Sequence, residues 1–162
     1  MTPRVSIQTN DFDVSTELAA LQGQDLRVGA VCSFVGTVRD TRALTGQASD
    51  EVQAMELEHY PGMTEKSIEA MIDEAHQRFD FYSARVVHRV GRLLPADQIV
   101  LVAVTSAHRG ESFKACEFLM DYLKTQAPFW KKEQTPGGAQ WVDARVSDDA
   151  ALSRWGIEAH NA

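Results

Sequence analysis

Cysteine is scarce in this chain: two residues in 162, Cys32 and Cys116, far apart and without a CxxC pair. That usage offers neither the paired thiolates of a zinc ribbon nor the dense disulfide framework of a small secreted domain. Cys32 sits in an apolar strand pattern and Cys116 on the apolar stripe of a helical one, so both are expected as buried free thiols. The five histidines show no HExxH-type spacing, and no metal site is expected. An excess of cationic residues is also missing. The formal net charge is -7, which argues against a broad face for phosphate backbones. No apolar run approaches the roughly 20 residues that span a bilayer. The opening MTPRVSIQTNDFDV lacks the apolar stretch of a secretory signal, leaving the cytoplasm as the expected location.

Two catalytic devices are absent as well. Gly23, Gly29 and Gly36 form neither GxGxxG nor GxxxxGK[ST], and no Ser-His-Asp order with a nucleophile elbow is found. Ser106 is the only hydroxyl near His108, and a helix-capping role suits it better than nucleophilic attack. A catalyst built from this sequence would have cationic and acid/base groups but no evident nucleophile of its own. The attacking group would have to arrive on another molecule.

What is present is an ordinary globular composition, 44% hydrophobic and 24% charged, in a chain of a length that predicts one domain over 1–162. Strands are predicted at Val5–Thr9, Ala30–Arg39, Val52–His59, Ala84–Val90, Ile99–Thr105, Phe129–Gln134 and Gln140–Val142. The last two are expected to pair as a hairpin around Pro136-Gly137-Gly138. Ala30–Arg39 is rich in β-branched and aromatic residues and reads as a buried strand with a bulge at Gly36. Asp40–Asp50 is polar and aperiodic, a candidate binding loop.

Two helices carry clear periodicity. After the Tyr60-Pro61-Gly62 turn, Ile68, Met71, Ile72, Ala75 and Phe79 form one apolar stripe. From Glu111 to Thr125, Cys116, Leu119, Met120 and Leu123 form another, and Pro128 prevents continuation. Short helices are expected near Ser15–Leu21 and after Ser147. The sum is an α+β domain with a largely antiparallel or mixed sheet and two main helices.

The stretch Thr105–Glu133 concentrates candidate chemistry. His108 and Arg109 stand where a strand ends and a helix begins. Unpaired backbone N–H groups and the helix dipole attract phosphate or carboxylate there. Lys124 falls in the last turn of the same helix, where the dipole stabilises a cation in any case. Strand alternation puts Lys131 and Glu133 on one face and Lys132 on the other, so Lys131 is expected to share a cavity with Lys124. Crowded lysines favour proton transfer near neutral pH. Arg39, at the end of its strand, is placed to reach an anionic ligand, whereas Arg42 is expected to face solvent. These residues are expected to gather into one pocket for a small anion.

The strings VGTVRD, LEHYPGMTEK, HRVG, VTSAHRGESF, MDYLKTQAPFWKKE and W-V-x-A-R (Trp141, Val142, Ala144, Arg145) closely resemble the large, catalytic subunit of molybdopterin synthase. The resemblance covers nearly the whole chain. It implies an α/β hammerhead fold and a sulfur transferase that converts cyclic pyranopterin monophosphate (precursor Z) to molybdopterin in molybdenum cofactor biosynthesis. The sulfur would come from a ubiquitin-like small subunit whose Gly-Gly C-terminus carries a thiocarboxylate. It further implies a homodimer of large subunits at the centre of a heterotetramer, with no nucleic acid, membrane or bound cofactor. Lys124 and Lys131 match the catalytic lysines of that family. Thr37, Val38, Arg39, His108, Arg109, Lys132 and Glu133 match its substrate-binding positions, with Lys124 and Lys131 also touching substrate. Arg145 is a further candidate. Thr37 departs from the family, many of whose members have lysine there, and the tail after Trp155 matches no family motif. A non-catalytic docking module for a ubiquitin-like protein, or a different phosphate-ligand enzyme, remains the alternative.

Overall fold

The computed structural model describes residues 3–23, 25–40, 54–135, 138–141 and 146–157. Eight strands and four helices lie among them, in the order β1 (Val5–Gln8), α1 (Val14–Gln22), β2 (Ala30–Thr37), β3 (Ala54–His59), α2 (Met63–Arg78), β4 (Ser83–Arg89), β5 (Gly91–Leu93), β6 (Gln98–Ser106), α3 (Arg109–Gln126), β7 (Phe129–Thr135), β8 (Gly138–Trp141) and α4 (Val146–Ser153). The expected α+β class holds. The strands divide into two sheets, however, where one was expected. The first is ordered β1-β4-β6-β2, with β1 parallel to β4 and the other neighbours antiparallel. The second, β5-β3-β7-β8, is antiparallel throughout and contains the expected β7–β8 hairpin. Its edge strand β5 is three residues long, too short to leave a periodic signal, yet it completes the sheet by burying Leu93.

The helical periodicities become the main core. Ile68, Met71, Ile72 and Ala75 of α2 and Ala115, Cys116, Phe118, Leu119, Met120 and Leu123 of α3 cover one face of the first sheet, against Val86, Val100, Val102 and Val104. Each Ile, Met, Leu, Val or Phe side chain among them contributes about 1.5–3 kcal/mol by leaving water. On the opposite face Phe12 packs with Val87 and Leu101. A separate small core of Val38, Met55, Leu57 and Leu93 serves the second sheet.

Local chemistry sets the helix starts. Asp13 caps α1 by accepting the Thr16 N–H at 2.8 Å, a bond that holds its carboxyl below the usual carboxylate range. Gly62 precedes α2 with φ 85°, a left-handed backbone that strains residues bearing a side chain. Its N–H donates to the Glu65 carboxylate, which satisfies one of the orphan donors of the first turn.

Two expectations need correction. β2 is an edge strand, not a buried one: it pairs with β6 only among the described residues, and Ser33, Phe34 and Thr37 are exposed. Apolar composition marks the face that α3 covers but cannot say how many neighbours a strand has. The register does shift between Gly36 and Thr37, as the glycine predicted. Cys116 is buried while Cys32 is only half-buried, and both are free thiols. Most of the 40–50 loop, with Arg42, lies outside the described residues, as do Val52, Val142, Arg145 and the tail beyond Ile157.

Phe118, with no exposed surface, is the aromatic hub of the core, in edge-to-face contact with Phe79, Tyr122 and Trp155. Phe118→Ala is expected to cost about 3–5 kcal/mol of unfolding free energy. Urea unfolding measures this as a lower midpoint at unchanged slope.

Candidate active site

The β6–α3 junction is built around close backbone approach. Gly29 donates its N–H to the Ser106 carbonyl at 3.0 Å, and a Cβ at position 29 would sit 2.4 Å from the Ala107 oxygen. Only glycine lets the chain leading into β2 pass there. The Ser106 hydroxyl donates to the His108 carbonyl, so it closes the turn and does not cap the helix. His108 is the N-cap of α3 in extended conformation, with no side-chain capping bond. Its ring and the Arg109 guanidinium are exposed at a cleft of about 590 Å3 lined also by Gly29, Ala30, Ala107 and Gly110. Orphan N–H groups, the positive end of the helix dipole and an arginine make this an anion-binding end.

The other end of α3 carries the lysines. Lys124 is exposed in the last turn. The chain leaves the helix through Ala127 and Pro128, and the Phe129 N–H donates back to the Ala127 carbonyl at 2.9 Å. The buried Thr64 hydroxyl clamps this turn, donating to the Pro128 carbonyl at 3.0 Å and accepting the Tyr60 N–H at 3.1 Å. β7 then pairs with β3 in a fixed register: His59 faces Phe129, Leu57 faces Lys131 and Glu56 faces Lys132. Directly opposed residues share a face. Lys131 therefore lies on the side of buried Met55 and Leu57, and Lys132 on the solvent side of exposed Glu56. The expected alternation holds, and Lys131 and Lys132 do not look into one cavity. Glu133 stands opposite Met55 in the ladder.

His88 of β4 meets this corner from the first sheet, a residue that sequence reasoning passed over. Its ring stacks on Phe129 with centroids 3.9 Å apart and planes at 18°. Its Nδ1 lies 2.8 Å from the Arg89 carbonyl oxygen. A carbonyl can only accept, so Nδ1 carries the proton and Nε2 holds a lone pair. Burial, the largest influence, pushes the His88 pKa down to about 4; the positive charges of Lys124 and His59 push the same way, while the Arg89 carbonyl opposes. The nearby His59 Nε2 lies 3.4 Å from Glu65 Oε1. The only sequence signals for His88 were its place inside an apolar strand run and the HRVG string.

Thr37, Val38 and Arg39 end β2. Val38 is buried with Met55, Leu57 and Leu93. Its N–H donates to the Asp97 carbonyl and its own carbonyl accepts from Ala96, both at 2.9 Å. With side chain and backbone so engaged, Val38 anchors the strand end and does not itself face a ligand. Thr37 and Arg39 on either side are exposed.

One expectation fails within a single chain. Arg109 and Lys124 are fifteen residues apart on one continuous helix, so their backbones are separated by about 22 Å at 1.5 Å per residue. One protomer presents an anion-binding end and a lysine end, not one pocket.

A family model described as MoaE protein matches residues 7–126. A molybdopterin synthase catalytic subunit from Ralstonia nicotianae is 59% identical over 160 residues, covering 99% of this chain and 88% of that protein. The structure of a molybdopterin biosynthesis MoaE protein from Burkholderia ambifaria superposes with a TM-score of 0.81 at 57% identity, covering 97% of this chain and 100% of that one. A complex of subunits 1 and 2 of molybdopterin-converting factor from Helicobacter pylori shares the fold, with a TM-score of 0.71 at 20% identity over 88% of this chain and 92% of that one.

The depressed His88 pKa links stability to pH. The unfolded chain takes up this proton near 6.5 and the folded chain only near 4, so His88 contributes its full stability above pH 6.5 and loses it as pH falls towards 4. The interval corresponds to about 3 kcal/mol. Chemical denaturation of wild type and His88→Phe across that range is expected to show a steeper loss for wild type, by about that amount. Parallel curves would refute it.

Proposed function

The chain belongs to the MoaE family of molybdopterin synthase catalytic subunits, and we propose that Lys124 and Lys131 carry its chemistry while His108, Arg109 and Arg39 hold the anionic substrate. Its activity is the conversion of cyclic pyranopterin monophosphate to molybdopterin, with sulfur delivered as the thiocarboxylate of a ubiquitin-like small subunit. The observation that carries the residue assignment is the placement of Lys124 and Lys131 on either side of one clamped proline turn. A chain with no nucleophile of its own otherwise has little use for two cations at such a corner.

The partner's Gly-Gly tail has no bulky side chains and fits a narrow approach to that turn. Its sulfur bonds to a side-chain carbon of the pterin as a carbon–oxygen bond there breaks, and water then cleaves the resulting thioester, leaving sulfur on the product and a carboxylate on the tail. Oxyanions develop in both steps. Ammonium groups held in place beforehand stabilise them and move protons to and from them. The substrate phosphate takes the His108–Arg109 end, where helix dipole and guanidinium act together.

A small pterin cannot bridge the length of α3. A homodimer resolves this: the anion-binding end of one protomer completes the lysine end of its partner, in the two-fold arrangement commonest among oligomers. The complex of two subunits known for a protein of this fold supports the small-subunit partner. Two free thiols suit a reducing, cytoplasmic setting. No helix among the described residues is long and apolar enough to cross a membrane. The alternative of a non-catalytic docking module leaves the lysine corner without a role.

Lys124→Ala and Lys131→Ala are each expected to lower single-turnover formation of molybdopterin at least about 100-fold, a loss typical for acid/base or oxyanion-stabilising groups. Circular dichroism should be unchanged. Near-normal product from either variant removes that lysine from the assignment. Mixed dimers test the shared site. Co-refolded Lys124→Ala and Arg109→Ala chains are expected to regain roughly a quarter of wild-type activity, since half the dimers are hybrids and each hybrid has one intact site. A site confined to one chain would give none.

A further inference from the structure

We propose that His88 is a positioning residue for the lysine end: its ring, seated on Phe129, sets the depth and phase of β7 and thereby the place of Lys131 relative to Lys124. This rests on the assignment of Lys131 above and extends it to a residue in the other sheet.

The first argument is where the contact falls. Phe129 opens β7 immediately after the Pro128 turn, and there the β7 strand touches the first sheet through His88. Phe129 and Lys131 are two residues apart on one strand face, about 7 Å along the chain. A slip of one residue would turn Lys131 to solvent and bring Lys132 inward. A ring that seats Phe129 therefore selects which lysine is presented.

The second argument is the ring's own constraint. Filling this space with leucine or phenylalanine would avoid burying two polar nitrogens, which is costly unless they are bonded. The Nδ1–H to Arg89 carbonyl bond satisfies one of them and fixes the ring's rotation. Fixed rotation makes the ring a flat seat in a defined plane, and the near-parallel stack at 18° shows Phe129 following it. The β3 ladder fixes β7 sideways and the Thr64 clamp fixes the turn behind it. His88 supplies the remaining direction, from above the sheet.

The third argument is electrical. Lys124 brings positive charge towards His88, and the His59 ring does so when protonated. A neutral ring with its lone pair at Nε2 can sit among them without adding another cation, which an arginine or lysine could not do.

The test is single-turnover sulfur transfer by the complex with thiocarboxylated small subunit, over a range of substrate concentrations. It compares wild type, His88→Ala, His88→Phe and Lys131→Ala. His88→Ala is expected to lower the limiting rate about tenfold or more, as misplacing a catalytic group does. The half-saturating substrate concentration and the affinity for the small subunit should stay within about twofold, because the lysines act in the chemical step. His88→Phe restores a flat ring on Phe129 and should return the rate to within about threefold of wild type. A wild-type rate in His88→Ala, or a His88→Phe protein as slow as His88→Ala, overturns the proposal. Should His88→Ala not fold, His88→Leu fills the space without a flat face; slow transfer supports positioning and a wild-type rate overturns it. Lys131→Ala separates the two levels. Normal turnover there overturns the lysine assignment itself, whereas its loss beside a fully active His88→Ala overturns only the role of His88.

Discussion

An uninterrupted helix is a spacer of fixed length, and α3 imposes that length on everything around it. Its eighteen residues bury one stripe against the first sheet, so it cannot tilt or shorten without opening the main core. Its two ends have opposite electrostatic characters. The positive end of the helix dipole at Arg109 favours an anion, and the negative end at Lys124 favours a cation. The rigidity that stabilises the domain thus also keeps Arg109 and Lys124 apart. The proposed assembly of two copies answers that separation geometrically.

At the lysine end the problem is precision. Lys124 belongs to a helix of the first sheet's layer and Lys131 to a strand of the second sheet, so their spacing depends on how the layers join. Two contacts of different kind make that joint, the Thr64 hydroxyl on the Pro128 carbonyl and the His88–Phe129 stack, while the β3–β7 ladder holds β7 within its own sheet. Each restrains a different direction. The surroundings are kept from accumulating charge by leaving His88 neutral, and Glu65 stands beside His59.

Much of this was legible in the sequence wherever the information is local. Helix stripes, the proline stop and the alternation of Phe129-Trp130-Lys131-Lys132 follow from periods of 3.6 and 2 that the chain carries in itself. The bulge at Gly36 and the N-cap position of His108 were legible for the same reason. What escaped depends on partners distant in the chain. The edge position of β2 is decided by which strands pair, and β5 exists only because β3 offers it a ladder. Gly29 is required by Ala107, nearly eighty residues away, and Val38 is claimed by a core whose other members lie in β3 and β5. His88 read as one more residue of an apolar strand because Phe129, which gives it meaning, is 41 positions further on. The resemblance supplied the site residues as a set but could not say that one protomer keeps Arg109 and Lys124 at opposite ends of one helix.

An enzyme that borrows its nucleophile faces a constraint that a self-sufficient one does not. With sulfur delivered on a partner's tail, as proposed above, the receiving groups must supply the order the tail lacks. Flexible lysines on mobile loops would add their own ordering cost to each transfer. Here one lysine stands on a packed helix and the other on a strand held from three sides. The proposed role in oxyanion stabilisation asks for such preorganisation before substrate or partner binds. The proposed chemistry thus depends on the corner between the two sheets more than on either lysine alone.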